Sequence, residues 1–370
     1  MPDGPPRAVY VLHTAPDGRA PADVVAAWPN ATRLLAALNA TGRVEASAVW
    51  RTDHADTDLT VDGVVHRFVR DGRIGARVAA AARRQRPHAV HVNSFLYPAP
   101  TLALRAALGH RPTLLVQHHG EPPPPQGGRA ARLGRLAAVA VDAVAFTGAD
   151  EWAPRFARVG LVRPRQRVYE VLEAAAAVSP LDRDEARRRT GVHGDPAVVW
   201  VGRLIDSKDP LTAVDAFADA LTHRLGAHLW MLCTNRTGED AVRRRIAERG
   251  VTGRVTLLGP VPHDDVAAVL SAADLFFATS LREGSGYALI EAVTCGATPV
   301  VTDLGPHRAI AGAQGERFAA GDRAGAAAAL ARAIVRPVAE VRADAAERLT
   351  WARIAEQLLV AYGLGASTVQ

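Results

Sequence analysis

The chain has 370 residues, a length that suits two domains. Apolar residues make up 48% of it, enough for a core in each half. No run of about 18 or more apolar residues is free of charge, which argues against a transmembrane helix. The net charge is +6, and of the 44 basic residues only Lys208 is a lysine, leaving 43 arginines (44 − 1). Such an arginine bias makes the basic balance weak evidence for an acidic partner. A lone lysine in that background marks a place for a compact, mobile point charge rather than a rigid fork. The opening MPDGPPRAVYVLHT has no charged segment before a long apolar run, so the expected location is the cytoplasm. Cys233 and Cys295 lie far apart in apolar surroundings and read as buried thiols, neither a disulfide nor metal ligands. The N-x-T triplets at Asn30, Asn39 and Asn235 read as chance occurrences.

Short β-branched runs alternate with longer amphipathic stretches. In the first half, strands are expected at 8–12, 44–50, 64–69, 89–92, 113–117, 143–146 and 167–171. Helices are expected at 22–38, 74–84, 101–108 and 129–138. The run Pro122 to Pro125 with Gly127 and Gly128 is a loop. Residues 173–196 carry proline, glycine and charge clusters without strand periodicity and read as an interdomain connection. The second half repeats the theme, with strands at 197–201, 228–233, 254–258, 275–278 and 298–302 and helices at 210–222, 239–248, 264–271 and 286–294. Two more helices are expected at 321–334 and 351–362. This alternation is the βαβ signature of parallel sheets covered on both faces. The expected domains are 1–177, 178–345 and a closing segment, 346–370, whose helix packs back toward the first domain.

Two constellations carry chemistry. In VVWVGRLIDSKDP, residues 198–210, an apolar strand ends at Gly202 and is followed by Arg203, a short loop, Lys208 and a helix opened by Asp209-Pro210. Two cations five residues apart at the carboxyl end of a strand can close on a diphosphate. A Walker A loop is excluded, because the only lysine lacks the full upstream glycine spacing of that motif. In LREGSGYALIEAVTCGATPVVTDLG, residues 281–305, Gly284, Ser285 and Gly286 form a tight turn that opens a helix. Its first backbone N–H groups suit a phosphate. Glu283 and Glu291 stand eight residues apart, about 12 Å along a helix, so one can hold a sugar while the other holds a ribose. The apolar neighbours of Glu291 make it a carboxylate that needs a polar partner. No G-x-G-x-x-G follows the first strand, which disfavours a dehydrogenase.

GRL…KDP followed about 75 residues later by E-x7-E resembles the retaining family-4 glycosyltransferases, of which glycogen synthase and sucrose synthase are broader relatives. VTLLGPVPHDDVAAVLSAADLFFATS, ATPVVTDLG and LTWARIAEQLL resemble that family's base-binding segment, the strand after the glutamate motif and the closing helix. The first half matches loosely, through QHHGE and VDAVAFTG. The resemblance implies a GT-B fold, two Rossmann-like domains facing a central cleft. It implies that Arg203 and Lys208 bind the donor diphosphate, that Glu283 contacts the transferred sugar and that Glu291 contacts the ribose. It further places Gly202, Gly284, Ser285, Gly286, Tyr287 and Leu289 around the donor, and gives the base to Gly259, Val261 and Pro262. His119, in preference to His118, matches a histidine that faces the donor sugar. Two departures stand out: HTAPDGRAPAD lacks the family's glycine pair in the first βα loop, and Gly305-Pro306-His307 replaces two glycines after the TD strand.

The reaction implied moves a hexose-like sugar from a UDP or GDP carrier to a hydroxyl, with retention. The nucleotide-sugar is a substrate, so no cofactor is expected. No metal is expected either, since the two cations and the helix N-terminus do its work and the DHAD at Asp53 to Asp56 lies elsewhere. The acceptor is a glycan, a lipid-linked compound or a small natural product; nucleic acid is not a partner. Arg70, Arg73, Arg77, Arg83, Arg84 and Arg86, and Arg129, Arg132 and Arg135, are clusters suited to peripheral contact with an anionic inner membrane face. A nucleotide-sugar 2-epimerase and a non-catalytic sugar-nucleotide binding protein are the alternatives. The first would show acidic residues poised for proton abstraction, and the second would not need both glutamates and both cations.

Overall fold

In a computed structural model, the described residues are 4–13, 18–223, 225–233, 236–335, 345 and 347–365. Asn235 and residues 14–17 of the first βα loop lie outside them. The chain divides into two compact units, residues 1–174 with 351–370, and residues 175–350. No helix among the described residues is long and apolar enough to cross a membrane.

The strands of unit 1 are β1 (Arg7–Leu12), β2 (Glu45–Thr52), β3 (Thr57–Val61), β4 (Val64–Arg70), β5 (Ala89–Asn93), β6 (Thr113–Gln117), β7 (Ala143–Phe146) and β8 (Arg167–Glu170). They lie in the order β3-β4-β2-β1-β5-β6-β7-β8, all parallel except β3, which runs antiparallel to β4. The hairpin joining β3 to β4 turns at Asp62 and Gly63, whose φ values of 49° and 74° are those of a two-residue type I′ turn. Asp-Gly is the residue pair that such a turn selects, yet β3 was not expected. Its TDLTV pattern never reaches full burial, so apolar periodicity alone passes over it.

Around this sheet run α1 (Pro21–Ala27), α2 (Pro29–Ala40), α3 (Ala76–Arg84), α4 (Pro98–Leu108), α5 (Arg129–Ala140) and α6 (Ala149–Arg158). The single helix expected over 22–38 is two, because Pro29 has no N–H to continue α1 and instead opens α2. Helix α6 was also not expected. It buries Trp152 and Phe156 in spite of an internal Pro154. The core of the unit joins Val11, Val90, Val92, Leu104, Phe146 and Phe156. The helix Trp351–Ala361 packs on α2, and the Tyr362 hydroxyl meets His91 Nδ1 at 2.9 Å.

Unit 2 begins with α7 (Arg183–Thr190), inside the stretch read as an irregular connection. Asp182 caps it, accepting from the N–H groups of Asp184 and Glu185, and Gly191 ends it with φ 72°. The helix buries one residue, Ala186, so it has no apolar face for a pattern to reveal. Arg183 and Arg187 anchor it on Asp274 at 3.2 and 2.7 Å. The sheet comprises β9 (Ala197–Gly202), β10 (His228–Cys233), β11 (Val255–Gly259), β12 (Leu275–Ala278), β13 (Thr298–Thr302) and β14 (Glu316–Phe318), all parallel, in the order β11-β10-β9-β12-β13-β14. The helices are α8 (Pro210–Ala220), α9 (Glu239–Glu248), α10 (His263–Ala272), α11 (Tyr287–Thr294), α12 (Gly305–Ala311) and α13 (Arg323–Val335). Strand β14 and helix α12 were not expected. Trp200, Phe217, Met231, Phe277 and Leu330 form the core, and Cys233 and Cys295 are buried and unbridged.

Renumbered within the unit, this order is 3-2-1-4-5-6, the doubly wound Rossmann arrangement. The parallel strands of unit 1 follow the same rule, with β1 and β5 central. In such sheets the chain reverses direction between the first and fourth strands. The diverging loops leave a crevice at the strands' carboxyl ends. In unit 2 that point lies between β9 and β12, and in unit 1 between β1 and β5.

Candidate functional site

The loops leaving β9 and β12 carry the two constellations, so the topology itself brings them together. After β9 the chain passes Arg203, makes a short 3-10 turn over Asp206–Lys208 and enters α8. Asp209 is held left-handed at φ 47°, and its carboxylate accepts from Thr212 N–H at 3.3 Å, capping α8. The Thr279 hydroxyl, just past β12, donates to the carbonyls of Lys208 and Asp209 at 3.0 and 2.8 Å. Leu281 N–H donates to Ser207 O at 2.9 Å. The two loops are therefore one hydrogen-bonded platform.

On it, Lys208 Nζ donates to Glu283 Oε2 at 2.5 Å. The same oxygen accepts from the Ser280 hydroxyl at 3.3 Å and lies 3.8 Å from His307 Nε2. His307 is buried in α12, and its Nδ1 donates to the Thr302 carbonyl at 2.9 Å, which aims Nε2 at the carboxylate. Burial would raise the Glu283 carboxyl. Lys208, His307 and the Gly286 N–H outweigh it and hold the group below its ordinary value. Arg203 is exposed, and among the described residues it has no ion-pair partner. The platform thus presents one committed cation, one open cation and one ionised carboxylate.

Helix α11 starts at Tyr287, with Gly286 as its cap at φ 65°; a Cβ on Gly286 would stand 2.4 Å from Ile310 Cδ1. Glu283 and the turn at Gly284 and Ser285 therefore precede the helix. The 12 Å rise expected between Glu283 and Glu291 assumed one continuous helix, and only the part from Tyr287 onward is helical. Glu291 is half-buried on α11. Tyr287 is 43% exposed, whereas Leu289, 1% exposed, is a core residue whose side chain faces its own unit. Gly202 ends β9 directly beneath the platform, packed over Trp200. Gly259 sits at a register shift of β11 with φ 71°, and a Cβ there would meet Arg236 Nη2 at 3.0 Å. Val261 and Pro262 come next at the same edge of the sheet, between β11 and α10.

Unit 1 has its own cluster at the carboxyl edge. His118 and His119 follow β6 and point apart. His118 is packed among Phe146, Trp152 and Phe156. His119 Nδ1 meets Glu173 Oε2 at 2.9 Å. Glu121 ties the cluster, accepting from the Ser94 hydroxyl, Phe95 N–H and His119 N–H at 2.7 to 2.8 Å. Burial opposes a charge on His119, but Glu173 and Glu121 raise its pKa above the ordinary histidine value. His119 Nε2 has no hydrogen-bond partner among the described residues. Glu173 was not expected here. It was read as the start of the interdomain connection, and a residue three positions past a strand carries no sequence mark. His13, at the carboxyl end of β1, was also passed over. It is buried with neither ring nitrogen bonded among the described residues, and burial pushes its pKa down to about 4.

The raised pKa of His119 sets a testable pH dependence. A histidine more basic in the fold than in the unfolded chain stabilises the fold fully below about pH 6.5. The contribution disappears as pH rises through the folded value. Glu173→Gln removes the partner that raises it, so wild type should melt above this variant by a wider margin at pH 6 than at pH 9. Thermal melts across that range check it, and a margin independent of pH contradicts the ion pair.

No group of histidine, cysteine, aspartate or glutamate side chains suited to a metal occurs among the described residues. The fold resembles the Anabaena HepE protein solved in complex with UDP and glucose, at a TM-score of 0.65 and 18% identity over 96% of this chain and 98% of that one. Among curated relatives, the D-inositol 3-phosphate glycosyltransferase of Nocardia farcinica is 35% identical over 133 residues, 34% of this chain and 30% of that protein. The enzyme of the same name from Mycolicibacterium vanbaalenii is 29% identical over 204 residues, 51% of this chain and 45% of that protein. The chain thus aligns with less than half the length of the curated relatives it matches. The chain has the two-domain α/β GT-B fold. Within it, residues 195–337, which hold the Lys208–Glu283 platform, are similar to the family described as glycosyl transferases group 1.

Proposed function

We propose that the chain is a retaining glycosyltransferase that takes a hexose-like sugar from a nucleoside-diphosphate donor, UDP- or GDP-linked, and passes it to a hydroxyl. The observation that carries this reading is the Lys208–Glu283 bond at the topological switch point of unit 2. An ionised carboxylate and two cations stand where an open α/β sheet binds its ligand. In this reading Arg203 meets the diphosphate first. Lys208 swings from Glu283 toward it, which releases Glu283 to the hydroxyls of the transferred sugar. Glu291 on α11 takes the ribose, and the loop 259–262 faces the base. Charge building on the departing diphosphate is met by Arg203, Lys208 and the start of α11. His119, oriented by Glu173, contacts the transferred sugar. The curated relatives' names, with inositol 3-phosphate as acceptor, favour a small phosphorylated polyol among the acceptor classes.

A panel of UDP-, GDP-, dTDP- and ADP-sugars, followed by mass spectrometry, tests the reading through slow donor hydrolysis. Release of one nucleoside diphosphate together with its sugar is expected. A panel with no turnover and no binding overturns it. Because the charge is met by side chains, activity is expected to persist in excess EDTA. A complete loss that Mg²⁺ or Mn²⁺ restores would assign the diphosphate to a metal instead.

A further inference from the structure

The opposite edge of the unit 1 sheet, where the strands begin, has a different character. There two hollows lie side by side. One, of about 620 Å³, is lined by Arg7, Arg83, Arg86, His88 and Arg111. The other, of about 560 Å³, is lined by His110, Arg111, Arg163, Arg165 and Arg167. They share Arg111 and Pro112. Together they run along the edge from β1 to β8, four inter-strand steps or about 19 Å.

Elsewhere several arginines of this chain are placed in pairs on carboxylates, although others, Arg203 among them, have no ion-pair partner among the described residues. Arg183 and Arg187 share Asp274, Arg245 and Arg323 share Asp215, and Arg236 and Arg243 share Glu239. In the hollows the available carboxylates are already used: Arg7 holds Glu45 at 3.2 Å, and Asp142 is taken by Arg105 at 2.5 Å. Arg83, Arg86, Arg111, Arg163, Arg165 and Arg167 have no ion-pair partner among the described residues. Guanidinium groups never deprotonate in proteins; water and salt screen these exposed ones, and a bound anion relieves their mutual repulsion further. Concave walls also focus the field. Arginine's planar fork fits phosphate oxygens in pairs. The lining includes no phenylalanine, tyrosine or tryptophan, the rings on which a base stacks best. Leu108 in one hollow and the exposed Val139 in the other offer an apolar wall for the organic part of an ester.

We infer that this edge is a second anion site, which binds a multiply charged phosphate compound, a free oligophosphate or the headgroup of an anionic lipid. It lies at the strand ends away from His119 and Glu173, and it is independent of the donor reading. The test uses the full chain with Arg203→Ala and Lys208→Ala, so that the platform of unit 2 does not compete. Inorganic tripolyphosphate is titrated calorimetrically. Vesicles of phosphatidylcholine with and without phosphatidylglycerol are co-sedimented at low salt. Binding in at least one arm is expected, weakening steeply with salt. Arg111→Glu, an exposed change at the shared wall, should reduce it at least about tenfold. Binding of tripolyphosphate alone assigns a free phosphate compound, and binding of the anionic vesicles alone assigns a headgroup. No binding in either arm, or binding that Arg111→Glu leaves unchanged, overturns the site. UDP titrated into otherwise wild-type Arg111→Glu protein should bind as it does to wild type, so a failure of the donor reading shows separately.

Discussion

Lys208→Arg is expected to lower kcat/KM by about tenfold or more, some 1.4 kcal/mol, in a protein that still folds. The ammonium of Lys208 reaches Glu283 at 2.5 Å from a 3-10 turn pinned by Thr279 and Leu281, so the backbone cannot retreat to admit a longer, planar group. Lys208→Ala should cost more, on the order of a hundredfold, since it also removes charge that meets the leaving diphosphate. It leaves the Glu283 carboxylate with Ser280, the Gly286 N–H and His307 alone. Steady-state kinetics on the responsive donor, beside thermal melts, separates these effects from folding. Wild-type kinetics in well-folded Lys208→Arg would remove Lys208 from the reaction.

The two glutamates should divide by role. Glu291→Gln is expected to weaken both the nucleotide-sugar and the free nucleoside diphosphate. A lost charged hydrogen bond, about 1.5–3 kcal/mol, corresponds to some ten- to hundredfold in Kd. Glu283→Gln should leave nucleoside-diphosphate affinity nearly unchanged, lower kcat and blur discrimination between sugar epimers. The structure adds a reason: Glu283 holds Lys208, so neutralising it frees the lysine. Diphosphate binding should then hold or tighten while the sugar contact is lost. Calorimetric titration of both variants with nucleoside diphosphate decides. Equal losses in the two would leave the division without support.

Much of this arrangement was legible in the residues, and the misses have definite causes. Alternating apolar runs located the central strands because these are buried on both faces. The same signal passed over β3, β14 and α7, which bury little; β3 and α7 are marked instead by Asp62-Gly63 and by the Asp182 cap. At the site, the sequence marked two constellations, Arg203 with Lys208 and Glu283 with Glu291, and the structure brings Lys208 and Glu283 together. The sequence did not show that Lys208 and Glu283 hold each other, since no spacing encodes a contact across 75 positions. Leu289 went the other way. The resemblance grouped it with the donor residues, and helical periodicity turns its side chain into the core. The preference for His119 over His118 came from the resemblance; past the end of β6 the two side chains part, one into an aromatic cluster and one to Glu173.

The return of residues 351–365 to unit 1 gives the molecule an order of assembly. Unit 2 is a single continuous stretch, 175–350, and has all its strands once that stretch has been synthesised. Unit 1 is begun first and finished last. His91 lies at the centre of its sheet beside Tyr10, and its Nδ1 waits for the hydroxyl of Tyr362, which arrives 271 positions later. On the ribosome, where amino-terminal domains ordinarily fold ahead of later ones, all eight strands of its sheet are available once Glu170 has emerged, but the helix Trp351–Ala361 and the Tyr362 contact can be added only after unit 2 has been synthesised. Its last closing contact is made by a segment synthesised after the whole of its neighbour.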